Sequence, residues 1–194
     1  MSIKSNLTKK LLAYGLSTAA AISGGYLIAP REGNPTGKDG LSSVYLDPIG
    51  IPTVCWGQTG KDLYGRTIRL GMTYTQQECE KMLAQSVTKH EALLDSVVYV
   101  PYKSDWMKAA LISFTYNVGI GNVKSSSLLK RLNARDYDVA CNELIKWVYA
   151  NKKKLPGLVS RRGEEKQWCL GIVPQDAQES YKAILENYIK ESKE

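Results

Sequence analysis

Charged residues are scattered through the chain except for one long stretch near the start. Residues 11–30 read LLAYGLSTAAAISGGYLIAP, with Lys10 before them and Arg31 after them. At 1.5 Å per residue, a helix of this length just spans a hydrocarbon core of ~30 Å. Because eleven of the twenty residues are Ala, Gly, Ser or Thr, the stretch gains little free energy from insertion. We therefore predict a weakly hydrophobic helix that can enter a bilayer and also leave it.

The charges around this stretch predict its orientation. Lys4, Lys9 and Lys10 precede it and few positive charges follow, which favours an N-terminus inside the cell and the remainder outside. Three interpretations are open. The stretch is a signal peptide cleaved within residues 19–21, a permanent anchor packed against a partner helix, or a weak anchor that later releases the chain. In each case the rest of the chain lies on the outer side of the membrane.

The next part of the chain has the pattern of a loop, a small sheet and a helix. Residues 31–40 contain three glycines and a proline, which predict a loop. Residues 43–60, SVYLDPIGIPTVCWGQTG, predict a hairpin or a small antiparallel sheet. Thr75 and Glu78 form a capping-box pattern, which predicts a helix of about twenty residues beginning at Gln76.

Helical spacing of apolar residues dominates the second half of the chain. It predicts helices at about 104–117, 126–133, 136–150, 158–170 and 177–192. Gly119 and Gly121 are expected to end the first of these helices, and Asp176 to cap the last. A small β-containing lobe followed by a larger helical lobe is an α+β arrangement.

Composition excludes several classes of function. The 194 residues are 43% hydrophobic and 23% charged, which is typical of a globular protein. The net charge is +7, but three positive charges lie in the first ten residues, so the remainder carries only +4. This mild charge, without a basic stripe, argues against nucleic-acid binding. A single histidine and the lack of a glycine-rich phosphate loop argue against a zinc site or nucleotide chemistry.

The four cysteines all follow the uncharged stretch, on the side predicted to be exported. An even number of cysteines in an oxidising compartment favours two disulfides. Three pairings stay open, and we prefer one bridge near each end of the domain, Cys55 with Cys79 and Cys141 with Cys169. The alternative is that all four are small buried apolar residues.

Carboxylates near the predicted sheet suggest candidate chemistry. Glu32, Asp39 and Asp47 lie close in sequence, and Thr53 follows six residues after Asp47. Cleaving a glycosidic bond needs a proton donor and a second carboxylate on the opposite face of the sugar. A structural interpretation is equally open at this point, because Asp before Pro commonly starts a turn and Thr is common in strands.

Several runs of sequence resemble one protein family. Residues 31–33, REG, and 46–61, LDPIGIPTVCWGQTGK, resemble the active-site hairpin of the phage-type lysozymes, glycoside hydrolase family 24. Residues 109–133, AALISFTYNVGIGNVKSSSLLKRLN, and 157–171, GLVSRRGEEKQWCLG, resemble its central and C-terminal helical segments. Together with the Ala/Gly-rich N-terminal stretch and the four cysteines, these runs make the chain similar to the signal-arrest-release endolysins of lambdoid phages. The resemblance implies a lysozyme-like α+β fold.

The Glu–Asp–Thr catalytic triad of that family falls on Glu32, Asp47 and Thr53. The resemblance implies hydrolysis of the β-1,4 bond between N-acetylmuramic acid and N-acetylglucosamine in peptidoglycan. Glu32 would be the general acid, Asp47 would activate water or stabilise positive charge, and Thr53 would position the water. The family inverts, which implies carboxylates roughly 6.5–9.5 Å apart. Because fourteen residues separate Glu32 from Asp47, more than is usual, Asp39 is an alternative acid, although Glu32 is preferred.

The resemblance also implies where the chain works. We expect an anchor over 1–30, a lysozyme-like catalytic domain over 31–171 and a C-terminal helical extension over 172–194. The implied partners are peptidoglycan and, through residues 11–30, the host inner membrane. We expect a monomer that uses no cofactor or metal and binds no nucleic acid. The anchored enzyme would be inactive, because an extended chain holds Glu32 within ~7 Å of Pro30 at the end of the anchor. Release to the periplasm would activate it.

Two other functions stay as alternatives. One is a lytic transglycosylase acting on the same substrate, and the other is a non-catalytic, membrane-tethered wall-binding protein. The resemblance further implies that Arg161 or Arg162 pairs with the catalytic Glu. His90 lies within the polar run of residues 88–91 and is predicted to be a solvated surface residue.

Overall fold

The computed structural model describes residues 3–32, 37 and 39–191 of the chain. The N-terminal part contains helix α1 (Ile3–Ala13), helix α2 (Thr18–Ile22), a π-helical segment (Ser23–Ile28) and helix α3 (Ala29–Glu32). Strands β1 (Leu41–Ser43), β2 (Tyr45–Leu46), β3 (Pro52–Val54), β4 (Gln58–Thr59) and β5 (Thr73–Thr75) follow. Within the predicted loop over 31–40, residues 33–36 and 38 lie outside the described part.

Helices make up most of the second half. They are α4 (Gln76–Asp95), α5 (Asp105–Val118), α6 (Ile120–Lys124), α7 (Ser127–Asn133), α8 (Tyr137–Glu143), α9 (Pro156–Cys169) and α10 (Gln175–Glu191). A 3₁₀ turn (Leu144–Lys146) and a hairpin of β6 (Tyr149–Ala150) and β7 (Lys153–Lys154) lie between α8 and α9. The predicted α+β architecture of a small sheet lobe and a larger helical lobe is confirmed.

The uncharged stretch is not one helix in this structure, contrary to the prediction. Helix α1 ends where Gly15 adopts φ +85°, with the Gly15 N–H bonded to the Leu12 carbonyl and the Leu16 N–H to the Leu11 carbonyl. This is the glycine C-cap of the Schellman type. The Ser17 side chain then accepts a hydrogen bond from the Ala20 N–H and caps α2. Among the described residues, no helix is both long and apolar enough to cross a membrane.

The N-terminal segment, residues 3–32, forms part of the protein core. Its most buried apolar side chains, at most 2% exposed, are Leu11, Ala19, Ala20, Ala21, Ile22, Tyr26, Leu27 and Ile28. The π-helical segment crosses α1 closely, since a Cβ on Gly25 would lie 2.1 Å from Thr8 Oγ1 and 3.0 Å from the Lys4 carbonyl oxygen. The small residues that weaken membrane insertion therefore also allow the helices to pack.

The sheet lobe forms where the alternating and turn residues predict it. Strands β2, β3 and β4 make an antiparallel sheet in which Tyr45 pairs with Thr53 and Thr53 with Thr59. Strand β1 pairs with β5, which leads directly into α4. The predicted capping box is present, with the Thr75 and Glu78 side chains each bonded to the other's backbone N–H.

Two predicted helix boundaries are wrong. The helix expected over 136–150 stops at Glu143 and passes into the 3₁₀ turn. The last residues of the predicted range belong to a hairpin instead, which Asn151 and Lys152 close with φ values of +49° and +62°. Two consecutive residues with positive φ are characteristic of a tight hairpin turn. The last helix begins at Gln175, so Asp176 lies in its first turn and does not cap it, and residue 192 lies outside the described part.

The preferred disulfide pairing is confirmed. Cys55 bonds to Cys79 and joins the turn after β3 to α4, while Cys141 bonds to Cys169 and joins α8 to α9. The alternative, four unpaired buried cysteines, is therefore wrong. The first bridge fastens the turn that faces Glu32 to a long helix.

Candidate active site

Glu32 is the last residue of α3, and its carboxylate lies between helix α9 and the turn before β4. Its Oε1 accepts a hydrogen bond of 3.0 Å from Arg161 Nη1 of α9, and the side chain is 24% exposed. Its Oε2 faces the turn before β4, because a Cβ on Gly57 would lie 3.2 Å away. Gly57 also has φ +76°, which favours glycine there. The Arg161 contact answers which arginine pairs with this glutamate.

Arg161 belongs to a buried ionic cluster that the sequence did not reveal. Arg161 Nε donates to Glu165 Oε1 at 3.1 Å, and Ser113 Oγ donates to the same oxygen at 2.7 Å. Arg162 Nε lies 2.9 Å from Glu165 Oε2, and Arg162 Nη2 donates to Asn117. Burial raises the pKa of Glu165, opposed by both arginines, and burial lowers the pKa of Arg162 to about 10.

A second set of contacts fixes the turn that faces Glu32. The Tyr116 hydroxyl donates to the Trp56 carbonyl at 2.8 Å, and Gln58 Nε2 donates to the Tyr116 hydroxyl at 2.9 Å. Burial, assisted by the charge of Glu32, raises the pKa of Tyr116 to about 12. The turn is therefore held from α5, and the carboxylate that it faces is held from α9.

His90 is not a solvated surface residue as predicted. Its ring lies against Tyr116, with the two centroids 4.8 Å apart, and its Nδ1 is 2.7 Å from the Ser86 carbonyl. Burial lowers the pKa of His90. The His90 ring thus packs against the Tyr116 ring and helps to fix its position.

Asp47 and Thr53 lie on the hairpin, and their contacts give both a structural role. Asp47 Oδ1 accepts from the N–H groups of Ile49 and Ile51 at 2.9 and 2.8 Å. Thr53 is buried in β3, and its hydroxyl donates to the Ile51 carbonyl at 3.0 Å. The predicted turn at Asp47 is therefore present. A catalytic role for the two residues stays a prediction.

Asp39, the alternative acid, lies apart from the arginine cluster. It is exposed, and its Oδ1 accepts from the Leu41 N–H at 3.1 Å at the start of β1. Of the two candidate acids, Glu32 is the one that contacts Arg161. Within residues 3–32, 37 and 39–191, no group of His, Cys, Asp and Glu is arranged to hold a metal ion.

Comparison with known proteins identifies the family of this chain. The family model for Phage lysozyme matches residues 39–165. This chain belongs to the phage lysozyme family. The match includes Asp39, Asp47, Thr53 and Arg161, whereas Glu32 precedes it.

Relatives and solved structures agree with the family. The SAR-endolysin of Enterobacteria phage P21 is 39% identical over 160 residues, which cover 79% of this chain and 93% of the relative. An endolysin structure from phage FAHEc1 of Escherichia coli has 29% identity and a TM-score of 0.66, over 79% of this chain and 94% of that one. A mutant lysozyme of phage P22 has 27% identity and a TM-score of 0.62, over 88% and 99%. The chain is thus an endolysin of the lysozyme family and a glycosidase.

Proposed function

We propose that this enzyme hydrolyses the β-1,4 bond between N-acetylmuramic acid and N-acetylglucosamine in peptidoglycan. The observation that carries the proposal is the position of Glu32. One oxygen is held by Arg161 and the other faces the hairpin at Gly57. A carboxyl group fixed in this way at the edge of two lobes can protonate the leaving glycosidic oxygen.

The hairpin supplies the second half of the proposed reaction. Asp47, ionised, stabilises positive charge at the anomeric carbon or activates a water, and Thr53 positions that water. The backbone bonds that Asp47 Oδ1 accepts keep the hairpin tip in one shape, which limits the freedom of the second carboxylate. An inverting reaction requires the two carboxylates roughly 6.5–9.5 Å apart.

The position of the N-terminal segment supports control by the membrane. We propose that residues 11–30 first lie in the host inner membrane, N-terminus inside, and that their release activates the enzyme in the periplasm. Residues such as Ile22 and Leu27 are buried in the core here, so they cannot lie in the core and in a bilayer at once. Since Glu32 ends the same helical stretch, the proton donor reaches Arg161 only when the segment packs.

Three carboxylate variants test the proposed chemistry. Glu32→Gln is expected to lose about 10²- to 10⁴-fold in activity, the usual loss on removing a general acid. Asp47→Asn is expected to be nearly inactive, whereas Asp39→Asn, the matched control, keeps wild-type activity. The measurement is clearing of outer-membrane-permeabilised Gram-negative cells, with product masses from purified peptidoglycan.

Each other outcome overturns a defined part of the proposal. An active Glu32→Gln with an inactive Asp39→Asn moves the proton donor to position 39. Products ending in anhydro-sugars indicate a lytic transglycosylase. Binding without any product indicates a wall-binding protein.

Control by release is tested at positions where the fold tolerates longer side chains. Replacing Gly25 is unsuitable, because a side chain there meets α1 in the folded protein. Ala13 is exposed and Thr18 is partly exposed, so Ala13→Leu with Thr18→Leu strengthens insertion while sparing the core. We expect more membrane-bound protein and later lysis. Ala13→Ser with Thr18→Ser is the matched control, and equal lysis times for both pairs contradict control by release.

A further inference from the structure

Glu165 is a buried carboxylate that the proposed reaction does not use directly. Its side chain is 1% exposed. Each hydrogen bond it makes with the described residues comes from a donor: Ser113 Oγ, Arg161 Nε and Arg162 Nη2 all reach Oε1. A carboxyl group that accepts hydrogen bonds and donates none has the pattern of an ionised carboxylate. Because two arginines are buried beside it, its removal leaves them with Glu32 as their remaining paired carboxylate, an excess of one positive charge.

The directions of these bonds determine how Arg161 meets Glu32. The guanidinium is planar and its donors point in fixed directions. Glu165 accepts the hydrogen bond from Arg161 Nε. Arg161 Nη2 lies 3.5 Å from both the carbonyl oxygen and the hydroxyl of Ser113. Only Nη1 then reaches Glu32, and it contacts Oε1 while Oε2 faces Gly57. Arg161 therefore holds Glu32 through one hydrogen bond, from Nη1 to Oε1.

We infer that Glu165 is a positioning residue for the proposed reaction, acting through Arg161. It keeps the guanidinium in the orientation in which Oε1 of Glu32 is hydrogen-bonded and Oε2 faces the hairpin, where the proposed substrate binds. Without Glu165, the guanidinium can rotate and take both oxygens of Glu32 in a paired arrangement. A donor with both oxygens held by an arginine is a poor acid. The inference rests on the proposed function of Glu32.

The test compares two buried carboxylates that both pair with an arginine. Glu165→Gln keeps an acceptor for Ser113 and removes the charge, and it is expected to lower kcat on soluble peptidoglycan fragments about 10- to 100-fold. KM is expected to stay within about two-fold, because the substrate is not contacted. Glu165→Asp, which keeps the charge, restores part of kcat. Asp62→Asn is the control, since Asp62 is buried and bonded to Arg66 and Tyr74 in a loop outside the site.

All variants are assayed at a temperature where circular dichroism shows each to be folded. Wild-type kcat in Glu165→Gln, or an equal fall of kcat in Glu165→Gln and Asp62→Asn, overturns the inference. A wild-type protein with no hydrolytic product instead refutes the proposed function, so the two failures are distinct.

A different observation concerns helix α10, which lies beyond the family match that ends at residue 165. One face of α10 packs on the N-terminal segment through a chain of buried hydroxyls. The Tyr26 hydroxyl is 2.8 Å from Ser180 Oγ and donates to the Asp176 carbonyl at 3.1 Å, and Ser180 Oγ donates to Ser5 Oγ at 2.9 Å. Residues of α1 and of the π-helical segment are thus joined to one side chain of α10.

Helix α10 is also attached to the rest of the protein by contacts that do not involve these hydroxyls. The Tyr181 hydroxyl donates to Asp105 at 3.0 Å, and its ring lies 4.7 Å from that of Trp106 at the start of α5. Trp106 in turn packs edge-on against Trp168, which neighbours Tyr26. Helix α10 can therefore remain on α5 and offer Ser180 to the N-terminal segment.

We propose that α10 is a docking element that holds the N-terminal segment in the folded position after release. The Tyr26 hydroxyl has polar partners in the fold that a bilayer core does not provide. Those partners belong to α10, so they favour the packed state over the inserted one. This proposal rests on the proposed release from the membrane.

Ser180→Ala is the informative variant, because position 180 lies outside the segment that inserts. The full chain is incubated with vesicles of Escherichia coli polar lipids, and bound and released fractions are separated by flotation. Ser180→Ala is expected to raise the bound-to-released ratio about 5- to 100-fold, as the loss of two buried hydrogen bonds, to Tyr26 and to Ser5, implies. Glu186→Ala, on the exposed side of α10, is the matched control with an unchanged ratio. The kcat of released Ser180→Ala stays at the wild-type value.

An unchanged ratio for Ser180→Ala overturns the docking role of α10. An equal rise for Glu186→Ala also overturns it, because the effect then comes from general destabilisation. Wild-type protein that never leaves the vesicles refutes the proposed release itself.

Discussion

The two sides of the candidate site are assembled in different ways. The hairpin side, residues 45–59, is made by one continuous run of chain, and its turn is fixed by bonds between near neighbours such as Asp47 and Ile51. The donor side joins Glu32 to Arg161, which is 129 residues away in sequence. Local chemistry is therefore enough for one half of the site, while the other half exists only when distant segments pack.

Under the proposed release, this difference would place control of the enzyme on Glu32. The hydrogen bonds that pair the hairpin strands and fix their turn do not involve the N-terminal segment. The contact between Glu32 and Arg161 does depend on it, because α3 continues directly from the buried π-helical segment. In the proposed release, moving the segment takes Glu32 away from Arg161, whereas the hydrogen bonds of Asp47 and Thr53 are made within the hairpin.

The largest expected effect is that of removing the N-terminal segment. A fragment of residues 31–194 lacks Leu11, Ile22, Leu27 and Ile28, which are at most 1% exposed. Each such side chain stabilises the fold by roughly 1.5–3 kcal/mol, against a total of about 5–15 kcal/mol for a protein. We expect the fragment to show no cooperative thermal transition by circular dichroism and no hydrolysis. A stable, active fragment would show that the donor side does not need the segment.

The next effect compares one variant on each side. Arg161→Ala leaves buried Glu165 without one of its partners and is expected to lower the free energy of unfolding by about 3–5 kcal/mol. Asp47→Asn keeps an acceptor for the two backbone bonds and is expected to cost less than about 1 kcal/mol. Urea unfolding measures both. Equal losses would mean that the two sides are not built differently.

Smaller effects are expected from the two disulfides. Serine replacement of either pair, Cys55 with Cys79 or Cys141 with Cys169, is expected to cost about 3 kcal/mol. Only the first pair adjoins the turn that faces Glu32, so it alone should also lower kcat of the folded enzyme. Unfolding midpoints and kcat separate the two effects. A loss of kcat in both pairs contradicts this assignment.

The smallest effect concerns pH and the capping box before α4. The backbone hydrogen bond from Thr75 holds the pKa of Glu78 below its usual value. A carboxyl with a lowered pKa stabilises the fold above its unfolded pKa, and this stability is lost as pH falls through the folded pKa. Glu78→Gln should therefore lower Tm at pH 6 by about 2–4 °C or less and have no effect at pH 2. A constant difference at both pH values contradicts the ionic contribution.

Elements with local signals could be predicted from the sequence. Thr75 and Glu78 marked the start of α4, and the glycine and proline pattern around Asp47 marked the hairpin. The break in the uncharged stretch also has a local signal, because Gly15 followed by Ser17 is a recognisable C-cap and N-cap pair. The length of the stretch without charge predicts one continuous helix, and the two caps divide it.

The donor side could be predicted only in part. Glu32 was a candidate through its motif, and the choice between Arg161 and Arg162 needed the structure. Glu165 and Ser113 gave no sequence signal, because their role arises from contacts between α5 and α9. The same holds for the bond between Ser180 and Tyr26, which lie 154 residues apart.

The central claim is that Glu32 reaches Arg161 only when the N-terminal segment lies in the protein core. The most direct measurement is hydrolysis of soluble peptidoglycan fragments by vesicle-bound and released enzyme from one preparation, per mole of protein. We predict activity in the released fraction, none above the Glu32→Gln background in the bound fraction, and full recovery when bound protein is released. A bound fraction that hydrolyses the fragments with the kcat of the released enzyme would contradict the claim.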